Sequence, residues 1–529
     1  MTELKKFYQH SSHYLLGQVG FYLIGFVSFP IFTRIFSVSE YGLISLTLNT
    51  IAIATVFSKM GLQQSVLRFY PEYTRNSGAD ARKRYYSTLF WSATVIGAAA
   101  TVVLMLGLLG VPSQWLSPTL RKLMLLAAVL VLVRAMFSIV MNFWRAEGKT
   151  TAYNLVSVGT KAGTVAAICL LLFTWRRTPI AFFVGTIAVE LVLLVWVVIV
   201  LCRRDLLSFG TFETHFFKLA VAFGLPFIGY ELAALILDTG DRFLVEYFLG
   251  AKQLGYYAAA YNISSYIQQC VAVPLNLAAF PIYMGVWVSK GKEETQAFLS
   301  RGLDHFLLIA FCLLGGVVVT GRDAIVILST EKFQDAARLL PTLVAGLLIY
   351  SLGIYLNAGM LIHKKTYAMA RFITYSCALN MVLNVWLIPR MGLQGAAVAT
   401  LLACAFLMAL MGWKSHQVLP LRFNFMGMLR YALAASAAAF VSMSVDFHRP
   451  VFNFLVKGTL FVLLYAGFLW LIDSSFRKLA SNGATLLRAR LYGSTAKPVA
   501  SAEAPAEASA WKPVSDEVGS SVDSLPAGR

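Results

Sequence analysis

The chain has 529 residues, of which 58% are hydrophobic and 13% are charged, and its mean hydropathy is +0.70. This composition excludes an ordinary soluble globule, which could not cover so much apolar surface. The 44 Lys and Arg outnumber the 25 Asp and Glu and give a formal charge of +19. The positions of the basic residues must therefore decide between nucleic-acid binding and a membrane topology signal.

Residues 13 to 472 divide into about fourteen apolar stretches, each near the roughly twenty residues with which an α-helix crosses a ~30 Å hydrocarbon layer. These runs lack the alternation of a β-barrel, so the sequence predicts an all-α polytopic membrane protein. The predicted spans are 13–35, 41–61, 86–110, 121–143, 151–173, 180–201, 216–237, 254–277, 303–320, 339–361, 366–388, 392–413, 427–445 and 451–472.

The basic residues concentrate in alternate loops, as expected when those loops face the cytoplasm. The densest is the loop 62–85, which carries Arg68, Arg75, Arg82, Lys83 and Arg84. This positive-inside pattern predicts an even number of spans with both termini cytoplasmic, and it removes the need for a nucleic-acid partner. The first span is too long for a signal-peptide core and is expected to be retained.

The chain also contains a parallel repeat. An offset of 213 residues places Gly42 on Gly255 and Asn49 on Asn262, and an offset of 216 places Lys149 on Lys365. Two six-helix lobes repeated in this way predict a pseudo-two-fold axis along the membrane normal, with a site between the lobes.

The repeat sets the predicted domain layout, in which two extra helices follow the second lobe. The tail is rich in Ala, Ser, Pro and charge and is predicted to be disordered. The predicted segments are a cytoplasmic N-terminus 1–12, an N-lobe 13–201, a cytoplasmic linker 202–215, a C-lobe 216–413, the two extra spans in 427–472, and a cytoplasmic tail 474–529.

Three charged residues lie near the middle of consecutive predicted spans: Arg134, Lys161 and Glu190. Each is roughly 13 to 17 Å from the cytoplasmic end of its span at 1.5 Å per residue, too deep for easy snorkelling. A charge at this depth costs about 2.5–3.5 kcal/mol and needs a reason. We expect these residues to line a hydrated, cationic cavity; the alternative is that Glu190 neutralises Arg134 or Lys161, which leaves the other cation unmatched.

Three further charges are candidate site residues. Arg34 follows Pro30 in the first span and either faces the outer mouth of the cavity or anchors its helix at the headgroups. Glu231 lies in the outer half of the seventh span and Asp238 at its outer end. They form either a proton or sodium site or a gate; the alternative is local pairing within Asp238, Asp241, Arg242 and Glu246.

Enzyme and metal signatures are absent from the sequence. It has no Walker sequence, zinc-binding HExxH or nucleophile elbow, and no extramembrane segment large enough to bind a nucleotide. The six cysteines lie in or beside spans without metal-ligand spacing. We therefore expect neither an enzyme nor a bound cofactor, metal or disulfide.

Several short motifs occur in order along the fourteen predicted spans. They are Phe29-Pro30-Ile31-Phe32-Thr33-Arg34 with Glu40-Tyr41-Gly42, Gly61-Leu62 with Leu67-Arg68-Phe69-Tyr70, Asp241-Arg242-Phe243 with Leu254-Gly255-Tyr256-Tyr257, and Leu379-Asn380 through Asn384, Ile388-Pro389, Gly392 and Gly395-Ala396-Ala397. This order resembles the polysaccharide-transporter family of the multidrug/oligosaccharidyl-lipid/polysaccharide exporter superfamily, which has MATE-like lobes and includes the Wzx-like O-antigen and exopolysaccharide flippases.

The resemblance implies a flippase of the bacterial cytoplasmic (inner) membrane. Such a protein carries an undecaprenyl-diphosphate-linked oligosaccharide repeat unit from the cytoplasmic to the external leaflet by alternating access, in contact with membrane lipids and with a polysaccharide polymerase or export machinery as partner. Members commonly use a cationic central cavity, for which Arg134 and Lys161 are the candidates. The alternatives are a cation-coupled multidrug exporter, which should have a carboxylate-rich cavity, and a non-transporting component of a polysaccharide synthase complex.

Overall fold

The computed structural model describes residues 2–74, 78–112, 114, 116–478 and 480–481, with side chains from residue 17 onward. Within these ranges the regular structure is helical. The helices are α1 (Thr2–Ile35), α2 (Val38–Lys59), α3 (Leu62–Thr74), α4 (Ala79–Gly110), α5 (Pro118–Ala127), α6 (Val129–Ala146), α7 (Thr150–Thr174), α8 (Pro179–Arg203), α9 (Thr214–Thr239), α10 (Asp241–Leu328), α11 (Leu340–Ser351), α12 (Gly353–Leu356), α13 (Ala358–Ile362), α14 (Thr366–Met391), α15 (Leu393–His416), α16 (Phe425–Met443) and α17 (Pro450–Ile472), with 3-10 helices at Phe209–Thr211 and Glu331–Leu339.

Twelve segments among the described residues are long and apolar enough to cross a membrane. The longest, Thr214–Leu328, has 115 residues and contains three of the spans predicted from the sequence. Its backbone leaves the helical region at Gly250 (φ 83°) and Gly291 (φ 77°), where glycine tolerates positive φ. The protein is therefore a multi-pass membrane protein with an all-α fold, and the count of fourteen spans stays a prediction.

The chain divides into two units, Met1–Phe468 and Leu469–Arg529. In the second unit, the Asp473 carboxylate accepts the backbone N–H of Ser475 at 2.7 Å and of Phe476 at 3.2 Å, so it caps a short helical turn. Most of the tail predicted to be disordered lies outside the described residues. The two-lobe division within the first unit stays a prediction.

Near its N-terminus, helix α2 lies backbone to backbone against α10. A Cβ atom added to Gly255 would lie 1.9 Å from the Val38 carbonyl oxygen, and one added to Gly42 would lie 2.5 Å from the Ala251 carbonyl oxygen. Only glycine lets two helices approach so closely. Gly42 and Gly255 are the two positions that the sequence repeat equates, so the predicted halves meet at equivalent residues.

The other end of α2 contacts α9. The Ser65 hydroxyl, just beyond α2, donates to the Ala220 carbonyl oxygen at 2.6 Å, and Gly61 lies directly against Gly224. Helix α2 is therefore fixed to α10 near its N-terminus and to α9 near its C-terminus. A cavity opens beside its middle turns.

Candidate functional site

This cavity has a volume of about 230 Å³ and lies between α1, α2, α7, α8 and α10. We call it the cationic cavity, because its described lining contains Lys161 and Arg242 and no carboxylate. It is lined by Ser28, Phe29, Phe32, Phe36, Tyr41, Ile44, Ser45, Leu48, Asn49, Lys161, Phe182, Arg242, Asn262 and Tyr266. A positive, partly polar cavity at membrane depth is suited to an anion that also forms hydrogen bonds.

Lys161 is in the wall of this cavity, as the sequence leads us to expect. Its ammonium lies 5.4 Å from the centre of the Phe21 ring, a cation–π contact. Among the described residues no carboxylate forms an ion pair with it. Lys161 therefore lines the cavity without an ion-pair partner in the described part of the chain.

Arg242 is the second cation of the cavity, and sequence reasoning placed it only in a local charge cluster. The residue is 5% exposed, and its guanidinium lies 4.3 Å from the centre of the Tyr261 ring. Its Nη1 donates to the Asp238 carbonyl oxygen at 3.0 Å, while its Nε has no partner within the described ranges. A buried guanidinium with a free donor has unused capacity for an anionic ligand.

Two repeat-equivalent asparagines, Asn49 and Asn262, also line the cavity. Asn262 Nδ2 donates to the Tyr41 hydroxyl at 2.7 Å, whereas Asn49 Nδ2 is buried without a partner in the described part of the chain. In the predicted repeat, the offset of 213 places Leu254 where the first half has Tyr41. Leucine supplies no hydroxyl, so the Asn49 amide stays available to a ligand.

Arg134 and Glu190 form a two-point ion pair. Nη2 of Arg134 lies 2.8 Å from Oε1 of Glu190 and Nε lies 3.0 Å from Oε2, with side chains 29% and 14% exposed. Neither residue lines the cationic cavity. The sequence left open whether Glu190 pairs with Arg134 or with Lys161, and in the structure Glu190 pairs with Arg134. Both charges act electrostatically on Lys161, which remains the unmatched cation.

Glu231 binds residues of the first half rather than the cluster around Asp238. Its carboxylate forms an ion pair with Lys59 and accepts Nε2 of Gln63 at 2.7 Å. Glu231 therefore lies outside the local pairing considered for Asp238, Asp241, Arg242 and Glu246. Lys59 and Gln63 were missed because their sequence positions, at a helix end and in a basic loop, look like ordinary snorkelling and surface sites.

Asp238 lies in the local cluster at the start of α10. The Tyr261 hydroxyl donates to its carboxylate, and the Tyr257 hydroxyl donates to that of Asp241. Asp241 also accepts the Thr400 hydroxyl at 3.2 Å. The two carboxylates are thus held by phenols within the second half.

Arg34 joins α1 to the end of α10. Its Nη2 donates to the Ile327 carbonyl oxygen at 2.9 Å and its Nη1 to that of Pro30 at 3.2 Å. Arg34 is exposed and is not part of the cavity lining. A cation on the last carbonyls of a helix is a favourable cap, so Arg34 fastens two helices rather than lining the cavity.

Comparison with known proteins places the chain in a family. The sequence model of the polysaccharide biosynthesis protein family matches residues 7–286, more than half of the chain. The chain belongs to the polysaccharide biosynthesis protein family. The family resemblance drawn from the motifs is thereby confirmed.

This member of the family is 25% identical over 166 residues to a protein of Haloferax volcanii named "Probable low-salt glycan biosynthesis flippase Agl15". The match covers 31% of this chain and 35% of the relative, so it spans about a third of the relative's length.

Solved structures show which fold this family member shares. The lipid II flippase MurJ in an inward closed conformation superimposes with a TM-score of 0.71 at 16% identity, covering 88% of this chain and 99% of MurJ. A multidrug resistance MATE transporter matches in its inward-facing form (TM-score 0.57, 12% identity, 77% of this chain and 94% of that one) and in its outward-facing form (0.54, 12%, 78% and 95%). The predicted MATE-like, all-α fold is confirmed; the parallel symmetry of its lobes stays a prediction.

Proposed function

We propose that this protein is a flippase that carries an undecaprenyl-diphosphate-linked oligosaccharide repeat unit from the cytoplasmic to the external leaflet. It acts in polysaccharide biosynthesis in a bacterial inner membrane, with both termini in the cytoplasm and a polysaccharide polymerase or export complex downstream. Family membership and the MurJ-like fold support this class of function. The observation that carries the proposal is the cationic cavity.

The chemistry of the cavity matches a diphosphate. Lys161 and Arg242 supply two positive charges without a carboxylate in the lining, and the Asn49 amide adds a free donor. A diphosphate cannot enter hydrocarbon bare, and charge-assisted hydrogen bonds in the cavity replace its hydration. A cavity for organic cations would need the opposite sign, so this lining favours the flippase over a multidrug exporter.

The lipid tail has an apolar path beside the head group. Tyr266 separates the cationic cavity from a second cleft of about 290 Å³ between α1 and α10, whose walls include Leu23, Phe26 and Val273. In the proposed cycle the diphosphate and sugars occupy the wet cavity while the prenyl chain stays in this cleft and in the surrounding lipid.

Alternating access requires the contacts at the two ends of α2 to break in turn. With the N-terminus in the cytoplasm, the Gly42–Gly255 contact and the Arg34 cap close the external side. The Lys59–Glu231 ion pair then lies on the cytoplasmic side.

Glu231 and Asp238 are the proposed coupling carboxylates, because each changes partners if its helix moves. Arg134 and Glu190 act as a balanced pair that positions charge near Lys161.

The test is movement of a fluorescent undecaprenyl-diphosphate oligosaccharide across reconstituted vesicles. Lys161→Gln and Arg242→Gln should each slow translocation roughly 10-fold or more, since a hydrogen bond to a charged group contributes about 1.5–3 kcal/mol. Lys414→Gln is the matched control, because Lys414 bonds the surface residue Gln417 at 2.9 Å, outside the cavity. A wild-type protein that moves no labelled lipid, or that instead exports an organic cation such as ethidium, would refute the proposal.

A further inference from the structure

A second cavity, of about 200 Å³, lies between α9, α10 and the helices α11 to α15. We call it the amide cavity. Its described lining contains no charged residue. Its polar groups are Tyr230, Gln268, Asn276, Tyr283, Tyr350, Ser351 and Asn357. A neutral, hydrogen-bonding cavity inside a membrane protein calls for a different ligand from the cationic cavity.

The helical stretch from α11 to α13 borders this cavity. Its hydrogen bonding tightens at Leu352, whose N–H bonds the Ile349 carbonyl oxygen in a three-residue step at 3.0 Å. The backbone stays in the right-handed helical region at Leu352 (φ −58°, ψ −20°) and at Asn357 (φ −83°, ψ −12°). The stretch therefore holds Tyr350, Ser351 and Asn357 in a continuous wall of the cavity.

Several polar groups of the cavity have unused hydrogen-bonding capacity. Asn357 Oδ1 is buried without a partner in the described part of the chain. Asn276 and Tyr230 are exposed side chains of the lining. Gln268 is already engaged, with its Nε2 donating to the Ser351 hydroxyl at 2.7 Å. An unpaired buried acceptor is costly, and an exposed amide or phenol can both donate to and accept from a ligand.

The groups that remain are those that bind sugars. Amides and phenols both donate and accept, as sugar hydroxyls do, while a phosphate would require cations. The rings of Tyr230, Phe280, Tyr283 and Tyr350 supply flat apolar faces for the C–H face of a pyranose. The volume corresponds to about seven water molecules at ~30 Å³ each, which is the scale of a single sugar ring.

We infer that the amide cavity binds an uncharged sugar of the lipid-linked oligosaccharide while the diphosphate occupies the cationic cavity. The inference rests on the proposed function. Helix α10 lines both cavities, with Asn262 in one and Gln268 in the other, about 9 Å apart along the helix at 1.5 Å per residue. One head group can therefore reach both. An acidic sugar at this position would meet no cation in the described lining and is excluded.

The test compares two probes bound to the purified protein in nanodiscs: undecaprenyl diphosphate carrying a neutral trisaccharide, and sugar-free undecaprenyl diphosphate. Asn276→Leu and Tyr230→Phe should each weaken binding of the glycosylated probe roughly 10-fold, through lost hydrogen bonds, and change binding of the sugar-free probe less than about 2-fold. Lys161→Gln should weaken both probes. Gln394→Leu removes an amide elsewhere in the second half, one bonded to Thr342, and should leave the ratio between probes unchanged.

Equal losses for both probes in Asn276→Leu and Tyr230→Phe, or no loss in either, would overturn the inference. Tyr230→Phe keeps the ring in place, so it decides the question even if Asn276→Leu lowers the thermal unfolding midpoint. If the wild-type protein translocates lipid-linked oligosaccharide but binds both probes equally, only the inference of a sugar site is refuted. If the wild-type protein translocates no lipid-linked oligosaccharide, the proposed function itself is refuted.

Discussion

The contact between Gly42 and Gly255 can be tested by adding a single methyl group. In Gly255→Ala the new Cβ would lie 1.9 Å from the Val38 carbonyl oxygen, where the nearest contacts of real Cβ atoms begin at 3.0 Å and ordinary ones at 3.4 Å. The helices must therefore separate by about 1.1 Å at least, and by about 1.5 Å for normal contact. The obstacle is backbone, which cannot rotate away as a long side chain can.

Overpacking of this kind costs about 1–3 kcal/mol. The cost falls only on the conformation in which α2 and α10 touch, so the closed population should decrease about 5- to 150-fold. If alternating access requires closure at this end, translocation should decrease by a comparable factor. The fold itself should persist, because the open conformation carries no such clash.

Closure can be measured by cross-linking cysteines placed at Ser39 and Lys252, which flank the contact, in a background without the six native cysteines. Gly255→Ala should reduce both the cross-linking yield and translocation in vesicles. Gly285→Ala is the matched control, since it is also in α10 but a Cβ there meets no atom within 4 Å. Wild-type cross-linking and transport in Gly255→Ala would show that this contact is not a closure surface.

Three further outcomes follow from named contacts. Lys59→Gln or Glu231→Gln alone should lower the free energy of unfolding by about 1–3 kcal/mol, because each leaves a half-buried charge unpaired. In thermal unfolding, the double variant should recover most of this loss. Additive losses in the double variant would contradict the pairing. Arg134→Gln should be rescued in stability by Glu190→Gln, while Lys161→Gln should gain nothing from the same second change. In the 444–449 loop, the hydrogen bond from Lys457 at 3.1 Å and the positive charge of Lys457 lower the pKa of Asp446. The ion pair is therefore present above the ordinary pKa of the carboxyl group and is lost as the pH falls through the lowered pKa. In Lys457→Gln, NMR titration should show a higher pKa for Asp446.

The fold class was accessible from sequence because it depends on a strong local signal. Apolar runs of span length identify helices in a bilayer, and the matched pair Gly42 and Gly255 marks a place where helices meet closely. The sequence separated the three spans within Thr214–Leu328, but it did not identify Gly250 and Gly291 as the residues where the backbone leaves the helix, because a glycine alone does not reveal whether its φ is positive.

The site was only partly accessible, since hydropathy gives the depth of a charge and not the direction of its side chain. The depth of Lys161 indicated an intramembrane cation, and the structure places it in the cavity wall. The same argument treated Arg134 alike, although a long-range partner, Glu190, neutralises it. Lys59 was misjudged because its partner, Glu231, is distant in sequence. Arg242 does bond Asp238 of the local cluster, but no signal in the sequence indicated that its side chain also lines the cavity.

The central claim is that the cationic cavity holds the diphosphate of a lipid-linked oligosaccharide. A cryo-EM structure of the protein with bound undecaprenyl-diphosphate oligosaccharide tests it most directly. The account predicts phosphate density within hydrogen-bonding distance of Lys161 and Arg242, with the prenyl chain leaving past Tyr266. Bound lipid whose phosphates lie elsewhere, with the cavity between α1, α2 and α10 filled only by water, would contradict it.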